Sequence, residues 1–413
     1  MASRAVTKVL RPFRVLRDEG PRQFLSRVLV KLNSKVAVHR PAMLVAPDDA
    51  ANVDWSTPQP QHQQPITVTD GPIDISWIMS PPGLGSGGHQ NLFRFIRFAE
   101  QAGHRCTIYL YTNSDLPISV ADLKAMVRST EAYADVNAEM RVYDRATGVH
   151  AGTQALFATG WETAYPAFAD ATHARRFYFV QDFEPSFYAL GTESLLAENT
   201  YRFGFRAITA GGWLAHKLRS EYGMEADSFD FAADTSRYFI TNTGRRDEVF
   251  FYARPVTPRR AFDFGVLVLK DFAKMLPGAT INLAGWDVSG WDLPFRHVNH
   301  ASLDLTELNA LYNRCASGLV LSLSNMSLLP LELMASGVVP VVNDAPNNRM
   351  VSDNPYIDYA PTAPMEMARR LAHAVTREDQ VEHAAQMSAS VGYAGWERSG
   401  EQFLDALMRG MRG

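Results

Sequence analysis

Leu323-Ser324-Asn325-Met326-Ser327-Leu328-Leu329-Pro330-Leu331-Glu332-Leu333-Met334-Ala335-Ser336-Gly337 runs directly into the apolar stretch VVPVVND, residues 338–344, and is preceded by GLVLSLS, residues 318–324. The three pieces read as a strand, a polar loop opening a helix, and a second strand. Pro330 suits the first turn of that helix, where a missing N–H costs nothing, and the open N–H groups of the turn point back toward the strand end. Glu332 lies in the same turn. Its carboxylate either complements the helix dipole or accepts hydrogen bonds from a ligand hydroxyl, with ligand phosphate on the backbone above it.

Working outward, the same alternation fills most of the chain. From about residue 73, ISWIMS, NLFRFIRFAEQAG, CTIYLY, ADLKAMV, QALFAT, RFYFVQD, RAITAG, WLAHKLRSEYG and DSFDF follow one another. After a break at Asn242–Asp247 the pattern restarts with VFFYAR, AFDFGVLVLKDFAKML, TINLAGW, LTELNALYNRCA and the stretch quoted first. Short apolar strands between amphipathic helices predict an α/β protein with parallel sheets covered on both faces. Two doubly wound domains are therefore expected, at 73–243 and 244–390, with a crevice between them. Residues 391–413 form a last helix, and 1–72 an extension and linker. In such sheets ligands bind beyond the carboxyl ends of the strands, so the loops there are where chemistry is sought.

A chain of 413 residues accommodates two such domains, and its net charge of −4 gives no reason to expect nucleic acid as a partner. Cys106 and Cys315, the two cysteines, both fall in apolar runs and read as reduced core residues of a cytoplasmic protein. No apolar run approaches the ~20 residues that span a bilayer. The first forty residues are strongly basic: Arg4, Lys8, Arg11, Arg14, Arg17, Arg22, Arg27, Lys31, Lys35 and Arg40 face only Asp18 and Glu19. After Gly20-Pro21 an amphipathic helix is predicted, either a peripheral contact with the inner face of the plasma membrane or a helix packed on the body of the protein. Residues 44–70, polar and proline-rich, read as a linker.

Pro81-Pro82-Gly83-Leu84-Gly85-Ser86-Gly87-Gly88-His89 follows the first strand and opens a helix. Gly85, Gly87 and Gly88 let a ligand approach the backbone, and the helix start offers N–H groups to phosphate or acceptor. A dinucleotide-binding loop is the rival reading, but the next strand ends in Tyr111-Thr112-Asn113-Ser114, without the acidic tip that holds a nicotinamide cofactor's ribose; Asp115 lies just beyond. Gln181, Asp182 and Glu184 cluster after the strand RFYFV, where carboxylates could orient or deprotonate an acceptor hydroxyl. Asp182 could equally cap the following helix. Thr163 offers a hydroxyl and His89 a third catalytic candidate, while Trp161 and Trp213 could line a sugar or the core. No Asp-x-Asp at a strand end and no His or Cys pair at ligand spacing suggests a metal, and no cofactor is expected.

The segment LPLELMASGVVPVV resembles the signature of family 4 glycosyltransferases, in which Glu-(Ala or Leu)-Met-Ala-(Cys or Ser)-Gly precedes Pro-Val-Val. The resemblance implies a GT-B fold of two Rossmann-like domains and a nucleotide-sugar donor. It implies that Glu332 contacts the donor ribose, with Asn325, Met326, Ser327 and Leu328 in the donor loop. Ser324 stands where that family usually carries another acidic residue. VFFYARPVTPRRAFDF resembles the start of the family's C-terminal domain, with Arg254 and Arg259 at the diphosphate positions, Arg260 beside them and Ala253 replacing a glycine. Such arginines would stabilise the leaving nucleoside diphosphate.

In the first domain, ATGWETAY (158–165), FVQDFE (179–184) and AITAGGWL (207–214) resemble bacterial rhamnosyltransferases of surface-layer glycan assembly. That implies a dTDP-L-rhamnose donor, retention of anomeric configuration and a growing, lipid-linked glycan acceptor. It also implies that the last helix crosses back to the first domain. A nucleotide-sugar epimerase, a nicotinamide-dependent oxidoreductase and a catalytically silent glycan-binding protein remain as rival readings.

Overall fold

The computed structural model describes residues 43–57, 71–113, 117–391 and 395–412; the basic stretch 1–40 and Asp115 lie outside them. The first domain begins with α1 (Pro47–Asn52). Seven strands follow: β1 (Asp74–Met79), β2 (Arg105–Leu110), β3 (Glu139–Val142), β4 (Ala155–Ala158), β5 (Arg175–Val180), β6 (Arg206–Ala210) and β7 (Ala226–Phe229). They form one sheet in the order β3-β2-β1-β4-β5-β6-β7, with parallel pairing throughout. The strand order reverses between β1 and β4, which places a switch point, and the crevice it opens, beyond their carboxyl ends.

The crossover helices are α2 (Gly87–Gln101), α3 (Val120–Ser129), α4 (Trp161–Ala169), α5 (Thr192–Asn199) and α6 (Gly212–Tyr222). α2 starts where Ser86 caps it, its Oγ accepting the amide of His89, and it buries Leu92, Phe93, Phe95, Ile96 and Ala99 against the sheet.

A second parallel sheet has the order β10-β9-β8-β11-β12-β13. Its strands are β8 (Glu248–Tyr252), β9 (Ile281–Ala284), β10 (Val298–Asn299), β11 (Cys315–Val320), β12 (Val339–Asn343) and β13 (Asp358–Ala360). Its helices are α7 (Phe262–Met275), α8 (Leu305–Tyr312), α9 (Leu329–Ala335), α10 (Pro346–Arg349), α11 (Pro364–Thr376) and α12 (Gln380–Val391). α8 carries a capping box in which Asp304 and Glu307 each accept the other's backbone N–H. The stretch quoted at the outset is β11, loop, α9 and β12, with β11 and β12 adjacent in the sheet. Both cysteines are buried and free.

The last helix, α13 (Gly395–Arg412), leaves the second domain and packs on the first. Phe403, Ala406, Leu407 and Met411 enter the aromatic core of the first sheet, where Trp77 stacks on Phe157 with ring centroids 4.1 Å apart. Gly410 is required by this approach, because a Cβ there would stand 2.5 Å from the Phe177 ring.

Residues 44–57 are not the loose linker their composition suggests. Pro47 opens α1 and Asp48 and Asp49 occupy its first turn. Asp49 pairs with Arg145 at 2.8 Å and accepts the Tyr111 hydroxyl at 2.7 Å. Val45 is fully buried. The polar composition concealed side chains that find partners far along the sequence.

Candidate functional site

The carboxyl ends of the two sheets face one another across a cleft of about 800 Å³. The second domain contributes a basic wall from the segment after β8, comprising Arg254, Arg259 and Arg260. Arg254 donates to the Tyr252 hydroxyl at 3.1 Å, and Arg260 donates to Ser322 Oγ; neither forms an ion pair among the described residues. Burial pulls the Arg260 guanidinium below its ordinary pKa, against the opposing pull of the Asp182 carboxylate. Arg259 spans the cleft. Its Nε donates to Asp182 Oδ2 at 3.0 Å and its guanidinium lies 4.0 Å from the centre of the Phe187 ring.

Glu332, two residues after Pro330 in the first turn of α9, lines the cleft together with Met326, Ser327 and Leu328. Burial raises its pKa to about 7, Arg94 opposing the rise and Asp234 adding to it. No hydrogen bond reaches this carboxyl from another side chain among the described residues. Arg94, on α2 of the first domain, faces it from the opposite wall. Arg94 donates to Asn91 Oδ1 at 3.1 Å and stacks 3.9 Å from the centre of the Trp396 ring on α13. Its own pKa is lowered to about 10 by burial. Sequence reading passed over Arg94, since in NLFRFIRF it looks like an ordinary polar position; only the return of α13 buries it.

On the first domain's wall, Gly85, Gly87 and Gly88 line the cleft. A Cβ on Gly85 or Gly87 would meet nothing within 4 Å, so the space over that loop is open. Gln181 Nε2 donates to Gly88 O at 3.0 Å and Gln181 Oε1 accepts from Asn91 at 3.0 Å, fixing this loop to the end of β5.

Several expected site residues are committed elsewhere. Thr163 is fully buried, and its hydroxyl accepts the amides of Thr159 and Gly160 and donates to Gly160 O, so it caps α4 and offers nothing to a ligand. Ser324 and Asn325 are 1% exposed and stand behind the cleft lining, not in it. Asn325 Nδ2 donates to Gln181 O at 3.0 Å and Ala210 O at 2.8 Å, and its amide donates to Asp182 Oδ1 at 2.8 Å. This part of the donor loop is a seam between the domains. Asp182 is correspondingly no free base, since it accepts from Arg259, Asn325 and the Phe183 amide.

Glu184 Oε2 accepts the Trp161 amide at 2.6 Å and the Tyr178 hydroxyl at 2.5 Å, which spends that oxygen on holding the start of α4. Burial and the neighbouring Glu162 raise its pKa well above the carboxylate range. His89 has both ring nitrogens engaged, Nδ1 with Ser86 Oγ at 2.7 Å and Nε2 with Ser80 O at 2.9 Å, and burial lowers its pKa from 6.5. It clamps the glycine loop as a neutral ring. Trp161 is 1% exposed and belongs mainly to the core, and Trp213 does not line the cleft. Among the described residues, no group of three or more His, Cys, Asp or Glu side chains is placed to hold a metal ion. No described helix is long and apolar enough to cross a membrane.

Residues 125–210 match the N-terminal domain of WsaF, and residues 247–372 match the C-terminal domain of WsaF.

Both halves match WsaF.

The two matched stretches carry Trp161, Gln181, Asp182 and Glu184 of the first domain's wall, and the arginines with Glu332 of the second. The O-antigen biosynthesis protein RfbC of Myxococcus xanthus is 30% identical over 350 residues, which is 81% of this chain but 27% of RfbC. The chain thus spans about a quarter of that curated relative. Among solved structures, TarM superposes with a TM-score of 0.66 at 8% identity, covering 83% of this chain and 99% of TarM. An S. aureus TarM variant, in complex with fondaparinux, alpha-GlcNAc-glycerol and UDP, gives 0.61 at 10% identity over 83% of this chain and all of that one. Sucrose-phosphate synthase from Thermosynechococcus elongatus gives 0.58 at 11% identity, covering 82% and 98%. The two parallel-sheet domains facing a cleft are therefore the GT-B fold.

Proposed function

We propose that the protein is a glycosyltransferase that moves a sugar from a nucleotide-diphospho donor to a hydroxyl of a growing bacterial cell-surface glycan. The observation that carries this reading is the charge layout of the cleft. Arg254 and Arg260 lie in its second-domain wall without an ion pair among the described residues, and in the same cleft the carboxyl of Glu332 is hydrogen-bonded to no other side chain. Breaking an anomeric C–O bond leaves an anionic nucleoside diphosphate, and fixed guanidinium groups in a partly dry cleft stabilise that charge as it grows. Glu332 accepts a ribose hydroxyl, and the arginines take the part that a divalent ion plays elsewhere.

The donor we propose is dTDP-L-rhamnose, on the resemblance of residues 158–165, 179–184 and 207–214 to bacterial rhamnosyltransferases, with the anomeric configuration retained and the leaving phosphate assisting proton transfer. The acceptor we propose is a cell-surface glycan, in keeping with the O-antigen biosynthesis named for the RfbC relative; we further propose that it is lipid-linked and that residues 1–40 would hold the protein at the membrane surface that carries it. Arg259 gives the site a resting state. It is paired with Asp182 across the cleft, and an arriving diphosphate competes for the same guanidinium.

Thermal melts with dTDP, UDP, GDP and NAD test this, because a ligand of the native state raises the melting temperature by mass action. A rise with dTDP that is lost in Arg254→Ala and Glu332→Ala is the expected result. A rise with UDP or GDP alone would keep the nucleotide-sugar site and replace the donor. A rise with NAD alone would overturn the reading.

A further inference from the structure

The cleft is electrically lopsided. Across from the arginines, the end of β4 and the start of α4 carry a second carboxyl that sequence reading did not single out. Glu162 Oε1 accepts the hydroxyl of Ser80, the residue after β1, at 2.8 Å. The carboxyl folds back over Gly160, where a Cβ would stand 2.8 Å from Oε2, so glycine at that position makes the seat. No other residue donates to Oε2 among the described contacts, and no lysine or arginine there pairs with the group. Glu162 lines the cleft all the same, alongside Glu184 and Tyr188.

The two carboxyls divide their tasks. Glu184 is tied to the Trp161 amide and the Tyr178 hydroxyl, and it fixes the start of α4 on which Glu162 rides. The Glu162 carboxyl, besides the Ser80 hydroxyl, takes a hydrogen bond only from its own backbone amide among the described contacts, and it lines the cleft. Burial raises the pKa of each, and the Glu162 charge raises that of Glu184 further. Beside them, Tyr188 OH accepts from Trp161 Nε1 at 2.9 Å, which leaves its own proton free to donate. This wall repels phosphate and suits a neutral ligand rich in hydroxyls.

We infer that Glu162 binds the hydroxyls of the acceptor sugar, with Glu184 as its positioning residue. The inference rests on the glycosyltransferase reading and names the group that sets the acceptor opposite the donor phosphates. Fixing that hydroxyl relative to the anomeric carbon is an orientation effect, felt in transfer to the acceptor and not in donor binding.

The test uses the full-length protein with dTDP-L-rhamnose and UDP-glucose as donors. Water serves as one acceptor, and octyl α-L-rhamnoside and octyl β-D-galactoside as the others. For Glu162→Gln we expect an acceptor KM at least tenfold higher, with the nucleotide-induced melting shift retained. Glu162→Asp should recover part of the acceptor affinity, and Gly160→Ala, which displaces the carboxyl from its seat, should mimic Glu162→Gln. An unchanged acceptor KM in a folded Glu162→Gln protein overturns the inference. So does a wild type that hydrolyses a donor yet glycosylates neither glycoside, although the nucleotide-sugar reading then survives. A wild type that turns over no donor overturns the glycosyltransferase reading itself.

Discussion

Replacing Glu332 by Gln should stabilise the unliganded protein while destroying its nucleotide site. The carboxyl is buried in the cleft wall, and its pKa is raised from the ordinary 4.5 to about 7. Between those values the folded protein keeps a proton that the unfolded chain has released, so wild-type stability falls as pH rises from about 4.5 to 7 and levels off above that. The displacement corresponds to about 3 kcal/mol as a ceiling, reached only at alkaline pH. Glutamine has nearly the same shape and never ionises. Melts of the two proteins should therefore converge toward pH 4 and diverge by at most roughly 6–12 °C near pH 8.5, at about 2–4 °C per kcal/mol. Differential scanning calorimetry from pH 4.5 to 9 reads this directly. A gap that does not change with pH would refute the reasoning, since it would mean that the cost of Glu332 is steric and not ionic.

Asp182→Asn should release Arg259 from its bond across the cleft and tighten dTDP binding several-fold by titration calorimetry; weaker binding would mean that the pair helps build the site. Gly410→Ala should cost about 1–3 kcal/mol by overpacking α13 against Phe177, read from the denaturant midpoint, and a neutral effect would contradict the close packing there. Deleting residues 1–42 should abolish binding to vesicles containing anionic phosphatidylglycerol while leaving the dTDP-induced melting shift intact; unchanged vesicle binding would remove the membrane role.

The alternation of short apolar runs and amphipathic helices made both sheets legible, because parallel strands buried on two faces cannot look otherwise. The helix start pointed to Glu332 and the family resemblance to Arg254 and Arg259, and all three line the cleft. What the sequence could not disclose was any contact made by distant segments. Asp182 and Asn325 look like free polar loop residues until the two domains meet and each satisfies the other. Thr163 reads as an available hydroxyl until the turn of α4 consumes it. Glu162 is one letter from Thr163 in the same run, yet it faces the opposite way, and nothing short of the helix start and the Ser80 contact separates their roles. Arg94 became a buried cation only when α13 returned to lay Trp396 on it.

The central claim is transfer of a sugar from a nucleotide donor, and the most direct test is to incubate the pure protein with dTDP-L-rhamnose and octyl α-L-rhamnoside and follow both products by mass spectrometry. Appearance of free dTDP together with a glycoside heavier by one deoxyhexose, both lost in Arg254→Ala, is the predicted result. Intact donor after prolonged incubation with this and with UDP- and GDP-linked sugars would contradict the account.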